Sequence, residues 1–215
     1  MVAAGSVIVL VPTTGERELL DRAGPLPAAC RLVTLGAVGP VAAAARAMQI
    51  LGAREAPPRV SILLGIAGTL DPAAVPPGEA RLASRLTLDG VGVGEGEHAG
   101  GMRALGLPQL DRQEESIWDA IDLEPPLPGV PFLTVTSAAG DAAHARRRRA
   151  RHPEAVLEEM EGFGVALASR LAGIPHLSIR GVSNPAGDRR RETWRSAEAM
   201  RAAHDLLERV LEALP

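Results

Sequence analysis

The sequence predicts a single α/β domain, and three observations predict it. Five apolar, β-rich runs recur along the chain, at residues 7–11, 30–35, 59–66, 131–136 and 176–182; several of them lack alternation, as strands covered on both faces do. Stretches of helical composition separate them, beginning with a strand, a glycine-bearing turn (Pro12-Thr13-Thr14-Gly15) and a helix over 16–22. The 215 residues suffice for one domain with a full core, and no change of composition marks a second.

Composition narrows the function classes. A formal charge of −3 and a pI near 6.0 give no reason to expect general nucleic-acid binding. All 23 basic residues are arginine, and Asn184 is the one asparagine. The single cysteine, Cys30, excludes an internal disulfide and reads as an inert strand residue of a reducing compartment. The apolar run over 1–12 is too short for a membrane span and has no basic segment before it, so neither signal peptide nor anchor is expected and the location expected is cytoplasmic. Neither metal nor cofactor is expected.

In chain order, the helix over 16–22 turns Leu19 and Leu20 inward and places Glu16 and Glu18 near its start, where carboxylates also serve as ordinary capping groups. Small residues over 36–46 let a helix approach the sheet closely. The strand over 59–66 runs into Gly65-Ile66-Ala67-Gly68, a turn with little side chain. Residues 81–101 read as strands with a glycine-rich tip that exposes His98. The acidic, proline-punctuated stretch 107–128 reads as surface, with Trp118 on a short helix. Arg146 to Arg149, with Arg151, read as a solvated helix; a nucleic-acid patch and a partial receptor for a substrate carboxylate are the competing readings.

The most informative stretch is 153–172. Val156, Leu157, Met160, Phe163, Gly164, Leu167, Ala168 and Leu171 follow the spacing of an amphipathic helix. On that helix Glu158 falls outside the apolar arc and Glu161 at its edge, beside small residues. A carboxylate there suits two vicinal ribose hydroxyls, with Met160 over the apolar side of the sugar; a solvated helix rim is the plain alternative. The strand over 176–182 then delivers Arg180 and, at its carboxyl end, Asn184, where ligands of open α/β sheets bind.

Met160-Glu161, followed 23 positions on by Asn184, resembles the ribose and purine motifs of the purine nucleoside phosphorylase and methylthioadenosine nucleosidase superfamily. The segment from Ser183 to Arg189, with Trp194, is most similar to the futalosine hydrolase branch, which removes hypoxanthine from futalosine. The resemblance implies a three-layer sandwich with a central mixed sheet flanked by helices, a small-molecule purine nucleoside as partner, and a homo-oligomer. It assigns Glu16 to the attacking water, with Glu18 as competitor, Arg180 to orienting that water, and Asn184 to the departing base. Met160 and Glu161 hold the ribose, and the backbone at Ala67 and Gly68 lies along the ligand. Ile66 stands where related nucleosidases have serine, and Ala143 and His144 stand where they carry a stacking Phe; Phe163 and Trp194 are the alternatives for that contact. The rival readings are a methylthioadenosine/S-adenosylhomocysteine or aminodeoxyfutalosine nucleosidase, a non-catalytic nucleoside-binding protein and an RNA-binding protein.

Overall fold

The computed structural model describes residues 6–53, 56–94, 98–112 and 115–215. Strand β1 (Val7–Val11) is wholly buried. It is followed by α1 (Thr14–Ala23), β2 (Cys30–Thr34) and α2 (Pro40–Gly52), which opens on a proline and turns Ala43, Ala47 and Leu51 inward. Next come β3 (Val60–Thr69), β4 (Ala80–Asp89), the single turn α3 (Met102–Leu105), the hairpin β5 (Leu110–Arg112) and β6 (Glu115–Ile117), and β7 (Ala120–Asp122). The chain continues through β8 (Val130–Val135), α4 (Ala142–Arg151), β9 (Leu157–Glu159), α5 (Gly162–Leu171), β10 (His176–Pro185) and α6 (Ser196–Ala213).

The sheet is mixed. β2, β1, β3 and β10 run parallel, β4 joins β10 antiparallel, β8 and β9 follow β4 in parallel, and β9 returns antiparallel onto β3. The sheet therefore closes on itself through β3, β10, β4, β8 and β9, with β1 and β2 as an open wing. Along β1, Val7, Val9 and Val11 pack with Leu20, Met200 and Leu207 of α1 and α6, whereas Ile8 and Leu10 pack with Ala43, Ala47 and Val165 of α2 and α5. Alternate residues thus feed opposite helical layers, which explains the unbroken apolar run. Leu86, Phe132, Leu157 and Val182 of the closed part pack with Phe163 of α5 in one core cluster.

Two sequence expectations are corrected. Residues 153–172 do not form one helix: 157–159 are a strand between β3 and β8, and the helix begins at Gly162. The helical spacing continues across this boundary, but strand pairing decides the outcome, because an extended backbone sends Glu158 and Glu159 to different buried partners. Glu158, expected outside the apolar arc, is only 5% exposed. Likewise, Trp118 lies not on a helix but between β6 and β7, with the Arg103 guanidinium 5.0 Å above its ring. His98 is exposed as expected, while residues 95–97 of the glycine-rich tip lie outside the described residues. Cys30 is half-buried, and burial pushes its thiol up to about 11. Among the described residues, no helix is long and apolar enough to cross a membrane.

Helices α2 and α5 meet at Gly164, where an added Cβ would collide with the Pro40 carbonyl and lie 3.2 Å from Ala44 N. Gly164→Ala is expected to cost about 1–3 kcal/mol through overpacking, measured by urea unfolding. Because Pro40 follows Gly39, the same variant is expected to disturb the Gly39 contact described next.

Candidate active site

The site is built around Arg180. β10 carries it opposite Gly65 of β3, and the guanidinium occupies the room that a side chain at Gly65 would fill. Arg180 has no exposed surface. Its Nη2 donates to Glu159 Oε2 in a short contact and to Glu161 Oε2 at 3.0 Å, and Nη1 lies 3.9 Å from Glu16 Oε1. Burial opposes its charge, but Glu159, Glu161 and Glu16 together raise its pKa further above the ordinary value. Nε and Nη1 have no hydrogen-bond partner among the described residues.

Each carboxylate is held by main chain as well. Glu16, in the first turn of α1, accepts from Ile66 N at 3.0 Å through Oε1 and from Thr13 Oγ1 at 2.7 Å through Oε2. Glu18, the competing candidate, is exposed. Glu161 precedes α5, and its Oε1 accepts from Gly39 N at 3.2 Å. Burial pushes its carboxyl up to about 7, Arg180 opposes the shift, and Glu159 and Glu16 add to it. Glu159 accepts from Thr134 Oγ1, Glu161 N and Gly162 N, so it anchors the chain just after Met160. Met160 is half-buried against Leu133, Val135 and Ala155.

At the carboxyl end of β10, Asn184 is 6% exposed. Its Oδ1 accepts from Ser183 Oγ at 2.7 Å, while Nδ2 donates to Pro185 O at 2.8 Å and to Asp188 O at 3.2 Å. Both amide protons are thus engaged, and one lone pair of Oδ1 stays open. The Asp188 carbonyl also accepts from Trp194 Nε1 at 3.0 Å, so it keeps a donor if Asn184 turns away. Ala67 and Gly68 pair with Val182 and Asn184 across the β3–β10 ladder, which places these four residues side by side. The expected set of Glu16, Ala67, Gly68, Met160, Glu161, Arg180 and Asn184 therefore falls on the β3–β10 seam and the segments joined to it. Phe163 is 1% exposed in the core, while Trp194 is half-buried, donates from Nε1 to Asp188 O and has the Arg189 guanidinium 5.5 Å over its ring.

Sequence reasoning missed Glu159, Thr134 and Ser183. The doublet Glu158-Glu159 before Met160 was the available signal, obscured by reading the stretch as helix. The arginine run is also corrected in part. Arg146 and Arg147 are exposed, but Arg148 is 4% exposed and pairs with Glu158 and Asp89, and Arg149 pairs with Asp71. Two cavities lie elsewhere, one of about 530 Å³ at the amino ends of β1, β3 and β10 and one of about 630 Å³ beside the end of β4.

The phosphorylase superfamily model matches residues 5–214, and the chain belongs to that superfamily. The chain is similar to a futalosine hydrolase of Thermus thermophilus, at 30% identity over 177 residues covering 78% of this chain and 76% of that protein. It is 46% identical to the Streptomyces coelicolor futalosine hydrolase over 82 residues, 38% of this chain and 35% of the relative. A further match, to the Acidothermus cellulolyticus futalosine hydrolase, is 44% identical over 79 residues, 37% of this chain and 32% of the relative. The chain thus matches about a third of the length of these last two relatives. Among solved structures, a Colwellia psychrerythraea methylthioadenosine/S-adenosylhomocysteine nucleosidase in complex with adenine superposes with a TM-score of 0.73 at 19% identity, covering 97% of this chain and 95% of that one. The Helicobacter pylori futalosine hydrolase gives 0.72 at 14% identity, with 97% of each chain covered. These likenesses confirm the nucleosidase type of fold, a mixed sheet flanked by helices.

Glu161 has a consequence for stability. Its folded pKa of about 7 stands above the ordinary 4.5, so the stability it contributes is present below the lower value and lost as pH rises through the higher one. Wild-type urea midpoints are expected to fall across that window, and Glu161→Gln is expected to flatten the fall.

Proposed function

We propose that this protein hydrolyses the N-glycosidic bond of futalosine and releases hypoxanthine. The observation that carries the reading is the arrangement of Glu16, Glu159 and Glu161 around the buried Arg180. Cleaving an N-glycosidic bond develops positive charge on the ribose, which a net negative site stabilises. The same charge disfavours phosphate as nucleophile, so water is the attacking group. The similarity to the Thermus thermophilus futalosine hydrolase over most of both chains supports the choice of substrate.

The geometry supports a role for each candidate. Glu16 Oε1 and Arg180 Nη1 are 3.9 Å apart, a gap that one water hydrogen-bonded to both can bridge. Glu16 polarises that water, and Arg180 orients it with a donor that has no other hydrogen-bond partner among the described residues. Thr13 and the Ile66 amide hold Glu16, so the Ile66 side chain is not needed to position it. Glu161 accepts from the ribose hydroxyls, and Met160 covers the sugar. The purine lies along Ala67 and Gly68 and meets Asn184. There N7 takes its proton from solvent, since an amide has none to transfer, Oδ1 accepts from the resulting N7–H, and Nδ2 exchanges its longer bond to Asp188 O for O6.

One observation favours a second reading. As placed, Asn184 presents only an acceptor, which suits a 6-amino group equally, so the 6-amino analogue of futalosine and methylthioadenosine are the rival substrates. Assembly as a homo-oligomer and residence in the cytoplasm belong to the same proposal; the unpaired Cys30 thiol is compatible with a reducing compartment.

Incubation with futalosine, its 6-amino analogue, inosine and methylthioadenosine, with and without phosphate, tests the proposal by identifying the released base. Hypoxanthine from futalosine at a phosphate-independent rate is expected; a phosphate requirement overturns hydrolysis. Glu16→Gln is expected to lower kcat by about 10²–10⁴ while nucleoside binding stays near wild type. In Asn184→Asp an ionised carboxylate would face O6, so the ratio of kcat/KM for futalosine to that for its 6-amino analogue is expected to fall about ten-fold. An unchanged ratio removes Asn184 from base reading.

A further inference from the structure

β9 is three residues long, yet it carries two buried carboxylates that turn to different partners. Glu159 holds Arg180 and the chain just after Met160. Glu158 instead meets Arg148 of α4, its Oε2 lying 2.6 Å from Arg148 Nη1, and its Oε1 accepts from Ala139 N at 2.9 Å. The remaining Arg148 nitrogens donate to Ser137 O at 2.9 Å and to Asp89 Oδ2 at 3.3 Å. One ion pair therefore grips the main chain of the loop after β8 at two alternate residues, Ser137 and Ala139, and joins it to the end of β4.

The far end of that loop touches the purine reader. Asp141 O and Ala142 N pack against Gly187 so closely that an added Cβ at Gly187 would collide with both, and Gly187 has a positive φ of 88°. Gly187 lies in the turn whose carbonyls, Pro185 O and Asp188 O, hold the Asn184 amide. The contacts run without a gap from Arg148 and Glu158 through the 137–141 loop to the 185–188 turn and Asn184.

We propose that the buried Arg148–Glu158 pair is a positioning device for the base half of the site, setting the 137–141 loop and through it the turn that orients Asn184. The Glu159–Arg180 pair sets the ribose and water half. The inference rests on the functional reading above for its ligands, but not for its mechanics. It also gives the arginine run a role: Arg148 is the member paired with Glu158, and it acts by holding main chain instead of binding substrate.

The test compares wild type with Arg148→Met and the milder, isosteric Glu158→Gln. Hydrogen–deuterium exchange of the 137–141 peptide is expected to quicken about ten-fold in Arg148→Met and less in Glu158→Gln, with residues 176–182 of β10 unchanged. The inhibition constant of free hypoxanthine is expected to rise about ten-fold, as misplacement of a positioned group predicts, while that of the base-free product stays within roughly two-fold. A merely structural pair would weaken both ligands alike, and that result, or unchanged exchange in the loop, overturns the proposal. If Arg148→Met does not fold, Glu158→Gln carries the same comparison. Should wild type release no hypoxanthine from futalosine, the hydrolase reading falls, and loop exchange alone then decides whether the pair is a clamp.

Discussion

A guanidinium with no exposed surface has to be neutralised where it stands, since an unpaired buried charge costs several kcal/mol even after relaxation. Arg180 meets this constraint with carboxylates drawn from three places: Glu16 at the start of α1, Glu159 at the end of β9 and Glu161 before α5. Much of the architecture serves that meeting. β3 supplies Gly65 so that the side chain fits, and the amides of Ile66, Gly39 and Gly162 complete the carboxylates' hydrogen bonding. Three acids around one base leave the cluster short of positive charge. That deficit adds to the rise that burial gives the Glu161 carboxyl.

The closed part of the sheet makes the convergence possible. A flat parallel sheet would line its carboxyl ends along one edge, whereas here β9 returns antiparallel onto β3 and brings the 157–161 segment against the β3–β10 seam. Glu158 pairs across the ladder with Gly68, so the segment carrying the ribose candidates is registered directly against the one carrying the base candidates. Because β9 is extended, successive side chains diverge, and two adjacent glutamates reach two separate arginines.

Much of what gathers around Arg180 was named as a candidate from the chain itself. The spacing from Met160-Glu161 to Asn184 and the small residues at Ala67 and Gly68 mark local chemistry, and local chemistry survives a wrong secondary-structure assignment: Glu161 reaches Arg180 although the helix drawn through it begins one residue later. The resemblance put Glu16 before Glu18, and the fold sets the half-buried Glu16 3.9 Å from Arg180 and leaves Glu18 exposed. Glu159 was hidden because apolar spacing over 153–172 suits a helix, and what overrode it was strand pairing with residues 69 and 132 at one end of β9 and 134 at the other.

The sequence by itself determined the class of domain, the strand runs at 7–11, 30–35, 59–66, 131–136 and 176–182, and the residue types available at the candidate site, because burial on two faces and hydrogen-bonding capacity both write themselves as residue type and spacing. Only the tertiary structure decided which charges pair. Arg148 and Arg147 are neighbours on one helix with the same chemistry, yet one is sealed against Glu158 and the other faces solvent. The physical reason is that a charge is buried only where a partner from elsewhere in the chain arrives, and that arrival depends on sheet closure and register, which no local pattern encodes.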